Sequence, residues 1–200
     1  MLFTLRYIFI IFATMISLQS IERRAFIENV KFIREGLHQK DAVYLGTYAF
    51  IDHIYIQDPL MDLNKEFIRI REYLITQRQQ KPILAVHKIR DPIESKHNVF
   101  VKFQGDLLEE AIQTIPSNFS HLFSFFRTGW EYLFNDLHLF IEEIEGLPPS
   151  VEIIAPSEDK ILDFFKVFSV KNILEDSVAK CIQKSKVKPS THEEFSKEMK

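Results

Sequence analysis

The sequence predicts an all-α fold: a helical bundle of about five to seven helices, with room for a short β-hairpin near residues 83–103. Three observations carry that expectation. Leu60, Leu63, Phe67, Ile70 and Leu74 recur at spacings of three and four, with Arg69, Arg71, Glu72, Gln77 and Arg78 on other faces, the pattern of an amphipathic helix. Leu122, Phe126, Trp130, Leu133, Leu137, Phe140 or Ile141, and Ile144 repeat at helical spacing through 118–145, and Phe119, Phe123, Trp130 and Phe134 form a second stripe beside them. Glycine and proline punctuate the chain between such segments, at Gly36, Pro59, Pro82, Pro116, Gly146 and Pro148-Pro149.

The elements follow in order. Residues 21–35 read as an amphipathic helix with Phe26, Ile27, Val30 and Ile33 on one side, closing near Gly36. Residues 41–57 are apolar nearly all round and read as a buried helix, although Ile54-Tyr55-Ile56 suits an extended chain equally well. Ile83–Ile89 and Val99–Phe103 have strand composition, with Asp91-Pro92 as a loop between them. A helix is expected at 106–115, and then the long central helix at 118–145. Ser157 is placed to cap another helix, with Glu158 and Asp159 in its first turn and Ile161, Phe164, Phe165 and Phe168 as its buried stripe. A last helix is expected at about 172–184.

The first twenty residues have a separate signature. One Arg at position 6, an apolar run from Tyr7 to Leu18 and Gln19-Ser20 describe a secretory signal peptide, with an uncleaved anchor as the alternative. The expected organisation is a signal peptide at 1–20, one helical domain at 21–183 and a disordered charged tail at 184–200. The localisation that follows is secreted and extracellular. The leader holds one of the 25 basic residues and none of the 28 acidic ones, so the net charge of −3 becomes −4 in its absence. That argues against nucleic acid as a partner. Cys181 is the single cysteine, so an extracellular form has no intrachain disulfide and must be stable through its core.

Sites for chemistry are sparse by sequence. The five glycines form no nucleotide-binding pattern, and no two of the seven histidines stand three or four apart as a helical zinc pair requires. There is no nucleophile elbow. Asp52-His53, and Asp136 near His138, fall too close in sequence to face each other on a helix. The reading has no catalytic residues, no metal and no cofactor. Asn118-Phe119-Ser120 is an acceptor sequon for N-glycosylation at Asn118.

Nineteen phenylalanines leave one binding hypothesis. Phe123, Phe126, Trp130 and Phe134 would line a cavity facing Phe164, Phe165 and Phe168, able to hold an apolar small molecule such as a fatty acid. The expected function is a secreted, non-enzymatic helical protein carrying such a ligand. The alternative is an extracellular interaction or effector protein acting through its surface, with 83–103 as its contact region; a hydrolytic enzyme ranks last.

Overall fold

The computed structural model describes residues 21–76, 83–90 and 97–185, and the fold there is mostly antiparallel β-sheet, not a helical bundle. Nine strands and four helices occur among the described residues: β1 (Ile21–Phe26), α1 (Val30–Gln39), β2 (Val43–Ile56), β3 (Glu66–Thr76), β4 (Ile83–Arg90), β5 (His97–Gly105), α2 (Leu108–Gln113), β6 (Ser120–Phe134), β7 (Leu137–Ile144), β8 (Ser150–Ala155), α3 (Glu158–Val167), β9 (Asn172–Leu174) and α4 (Val178–Lys184). The strands follow the order β5-β4-β3-β2-β6-β7-β8-β1-β9. The expected signal peptide at 1–20 and nearly all of the expected tail, from residue 186 on, lie outside the described residues. No described helix is long and apolar enough to cross a membrane.

Each misread segment has a physical cause. A spacing of four residues keeps side chains on one face of a helix and also of a strand, whose period is two. Leu122, Phe126 and Trp130 therefore fit both. What separates the two is Asn135, whose φ of 53° makes the turn between β6 and β7 where a single long helix was expected. Leu63, Phe67 and Ile70 are all buried, but β3 is covered on both faces, so its apolar residues do not need to share one. The expected buried helix at 41–57 is β2, buried on both sides from Tyr48 to Ile56. The expected helix at 21–35 divides into β1 and α1, and the one at 172–184 into β9 and α4. The strand-like runs at 83–103 are β4 and β5, paired antiparallel. Helices are found at 108–113 and 158–167, inside the expected 106–115 and behind Ser157.

The chain divides into two compact units, and β2, β6 and β7 contribute to both. The first holds the described residues to Leu45 together with 131–141 and 150–174. There β1 pairs antiparallel with β8 on one side and with β9 on the other. Asn29 caps α1, its Oδ1 accepting from the Phe32 N–H at 3.0 Å. Ile33 and Leu37 are the buried residues of α1, and Ile161, Phe164 and Phe165 those of α3. Gly36 is required by packing: a Cβ there would come within 2.7 Å of Cε1 of the buried Phe168 ring. Gly36→Ala is expected to destabilise by about 1–3 kcal/mol, although alanine favours helix by about 1 kcal/mol. A lowered urea midpoint at unchanged slope would show it.

The second unit holds 46–130, 142–149 and the described residues from Glu175. β2, β3, β4 and β5 form successive antiparallel pairs. One face of this sheet packs Tyr55, Ile68, Ile70, Ile83 and Ala85 against Ala111 and Leu108 of α2. At one end of the other face, Ile54, Ile56, Phe67, Phe125 and Ile144 pack with Ala179 and Ile182 of α4. Polar contacts anchor α4 there. The Ser177 hydroxyl donates to the Leu63 carbonyl at 3.1 Å and accepts from the Lys180 N–H at 3.2 Å. Asn64 receives the Ser177 N–H at 2.8 Å. Ser177→Ala removes both side-chain bonds and is expected to cost about 1–2 kcal/mol, read by thermal melting.

Candidate functional site

Strand alternation sets the site. On β2, Phe50, Asp52 and Ile54 fall on one face and His53 and Tyr55 on the other. The register of β2 with β3 places Tyr73 opposite Phe50, Arg71 opposite Asp52 and Arg69 opposite Ile54. From β6 and β7, Arg127 and Glu142 reach the same group. A charged cluster thus lies inside the second unit, next to the apolar end closed by α4.

Asp52 is its hub. The Arg71 fork grips it bidentately, Nε to Oδ1 at 2.7 Å and Nη2 to Oδ2 at 2.9 Å. Arg127 Nη1 donates to Oδ2 at 3.1 Å, and its Nη2 donates to Glu142 Oε2. The Tyr48 hydroxyl donates to the other Glu142 oxygen at 2.8 Å. Asp52 is 1 % exposed, Glu142 2 % and Arg127 4 %. Beneath them, the Arg71 guanidinium sits 3.7 Å over the Phe50 ring and that of Arg127 5.0 Å from the same centroid. Tyr48 stacks on Phe50 with centroids 5.5 Å apart.

Arg69 is held differently. Its Nε is buried without a hydrogen-bond partner and lies 3.8 Å from Asp52 Oδ1, an ion-pair distance only. Three guanidiniums face two carboxylates in this group, which leaves one cation in excess. Burial and the neighbouring charge of Arg71 pull Arg69 down to about 10 against the pull of Asp52, so it remains charged at neutral pH. Burial pushes the Asp52 carboxyl up, but the charges of Arg71, Arg69 and Arg127 together with the Arg71 hydrogen bond outweigh it and hold the group far below the usual carboxylate range. Asp52 and Glu142 are both turned onto guanidiniums. Among the described residues no three His, Cys, Asp or Glu side chains are placed to hold a metal ion.

The sequence had set Asp52-His53 aside as neighbours that cannot face each other. They do not, yet both are functional candidates, because a strand sends them into two separate buried networks. Arg69 and Arg71 had been placed on the other faces of an amphipathic helix. The signal that finds them is the alternation Ile68-Arg69-Ile70-Arg71, a period of two with the charges inside.

Phe123, Phe126 and Trp130 belong to the second unit, and Phe134, Phe164, Phe165 and Phe168 to the first. Phe123 packs on the apolar cluster beside α4, and three residues along the strand Phe126 takes the opposite face, half-buried. Trp130 and Phe134 are half-buried on β6. Phe164 and Phe168 pack against each other, centroids 4.5 Å apart, as ordinary core. Asn118 is exposed in the turn before β6, and Cys181 is half-buried on α4.

No family model matches the chain, and no curated protein matches it by sequence. Solved structures do. A candidate adenylate cyclase from Vibrio parahaemolyticus superimposes with a TM-score of 0.63 at 11 % identity, over 82 % of this chain and 98 % of that one. A candidate adenylyl cyclase from Hippeastrum with a dominant triphosphatase activity gives 0.58 at 16 % identity, over 85 % and 97 %. The chain has their CYTH-like fold. A chain of the Schizosaccharomyces pombe Mediator head module also matches, with a TM-score of 0.54 at 11 % identity, over 78 % and 100 %. This likeness is one of fold. It overturns the all-helical bundle, and with it the non-enzymatic ligand carrier and surface-acting effector drawn from that bundle; the neighbours named from Vibrio and Hippeastrum are themselves described as candidate cyclases.

Proposed function

We propose that the chain is an enzyme acting on the triphosphate group of a nucleotide or related polyphosphate, bound at Arg69, Arg71 and Arg127. The observation that carries this reading is the surplus cation: three guanidiniums, that of Arg127 buried and those of Arg69 and Arg71 partly buried, against Asp52 and Glu142, with Arg69 lacking a hydrogen-bond partner at Nε. A polyanion is the ligand such a surplus favours, because arginine forks match phosphate oxygens and act more strongly out of water. The fold neighbours from Vibrio and Hippeastrum support the same class of substrate. In such chemistry preorganised guanidiniums stabilise the charge that develops on the phosphoryl oxygens in the transition state. Asp52 holds Arg71 and Arg127 in place before the ligand arrives, so less ordering remains at binding.

The test is calorimetric titration of the purified chain with tripolyphosphate and with ATP, followed by assays for released phosphate and for cyclic nucleotide. Saturable binding with turnover to either product supports the reading. A folded protein that binds neither compound overturns it.

A further inference from the structure

The opposite face of β2 carries a second constellation. His53 Nδ1 lies 2.8 Å from Ser124 Oγ, and His53 Nε2 lies 3.4 Å from Glu72 Oε2. His121 Nε2 lies 2.8 Å from the same Ser124 oxygen. β2, β3 and β6 supply these four residues, all within the second unit. His53 and Ser124 are buried at 4 % and 5 % exposure, while His121 is exposed.

Hydrogen-bond balance assigns the protons. A carboxylate only accepts, so His53 Nε2 carries the hydrogen facing Glu72, and in the neutral ring Nδ1 is left as an acceptor. Nδ1 then takes the single hydrogen of the Ser124 hydroxyl. With that hydrogen spent, His121 Nε2 must donate to Ser124 Oγ. The serine thus has a base on its proton, a carboxylate orienting that base, and a donor on its oxygen that favours the alkoxide. The Tyr55 ring meets His121 edge-on at 5.3 Å and sets that ring's orientation.

We propose that Ser124 is a nucleophile that accepts the acyl group of a small ester, at a site separate from the arginine cluster. Ser124 Oγ bonds to the carbonyl carbon as its proton passes to His53 Nδ1, and Glu72 stabilises the imidazolium that results. The alcohol departs with that proton as its C–O bond breaks. Water, deprotonated by the same ring, then releases the acid and restores the serine. Glu72 is a positioning residue. His121 is the exposed member of the group. This inference does not depend on the polyphosphate reading.

The test uses the full chain with a small alkyl fluorophosphonate, in which a P–O bond to serine forms as the P–F bond breaks, and with p-nitrophenyl acetate. The expected result is one adduct mapped by peptide mass to Ser124 and a burst of about one equivalent of nitrophenolate. Glu72→Gln and His53→Gln should each slow labelling by about 10²–10⁴-fold. Mapping on the unmodified chain keeps the test decisive where Ser124→Ala does not fold. Labelling confined to other residues, or labelling of Ser124 at the same rate in His53→Gln, overturns the proposal.

Discussion

Asp52→Ala is expected to lower the unfolding free energy by about 3–5 kcal/mol, the largest stability effect of any single change considered. The carboxylate accepts three hydrogen bonds from two arginines and faces a third arginine at 3.8 Å. Its removal takes from Arg69, Arg71 and Arg127 the buried counter-charge they share. Asp52→Asn, which keeps the shape, should recover only part of the loss because an amide cannot balance guanidinium charge. The effect also has a pH signature. The folded-state carboxyl titrates far below its ordinary value, owing to Arg71, Arg69 and Arg127 acting against its burial. A depressed folded pKa contributes stability that is complete above the unfolded value of about 3.9 and is lost as pH falls below it. The stability gap between the native chain and Asp52→Asn should therefore be constant from pH 8 to pH 5 and narrow below about pH 4. Urea unfolding followed across that range measures it; a gap that widens in acid would mean that Asp52 is not the group being titrated.

Arg69→Met should behave in the opposite way. It deletes the cation whose Nε finds no hydrogen-bond partner, keeps the length of the side chain and leaves three hydrogen bonds on Asp52. Stability should stay within about 1 kcal/mol of the native chain or rise, since replacing a poorly paired buried charge by an apolar group is often neutral or better. Affinity for tripolyphosphate should fall by about 10–100-fold, the equivalent of about 1.5–3 kcal/mol for a lost charge-assisted contact. Calorimetric titration and urea unfolding on the same preparation give both numbers. A destabilised Arg69→Met that binds as before would make the arginines scaffolding and remove the support for an anion site.

The fold was legible wherever local chemistry decides it and illegible where tertiary burial does. Ser157 followed by Glu158 and Asp159 announced α3, and the β-branched runs at 83–89 and 99–103, a stretch the sequence left open, admitted the β4–β5 pairing; the loop expected at Asp91-Pro92 lies outside the described residues. β2 was lost because it is covered on both faces and so reads as apolar all round, which length alone then assigns to a helix. β6 and β7 were lost because Leu122, Phe126 and Trp130 recur every four residues, a spacing that a strand shares with a helix. The turn residues Asn135-Asp136 held the correction, since asparagine tolerates the left-handed backbone that a tight hairpin needs. The arginine cluster left a weaker trace. Arg69 and Arg71 alternate with isoleucines, but Asp52, Arg127 and Glu142 come from three other parts of the chain, and only the strand register brings them together.

The adjacency of Asp52 and His53 also bears on how the chain avoids folding wrongly. A slip of one residue between β2 and β3 would exchange the two faces of the strand, setting the imidazole among guanidiniums and the carboxylate among Tyr55, Ile68 and Ile70. In most two-sided apolar strands such a slip costs little, because one buried isoleucine resembles the next. Here it would strand a carboxylate and three arginines at once, so the misregistered state lies far above the native one and cannot act as a kinetic trap. The irregularity between Ala49 and Phe50 adds a mechanical stop to this electrostatic proofreading. The same charges that make the interior costly to build make it hard to build in any other alignment.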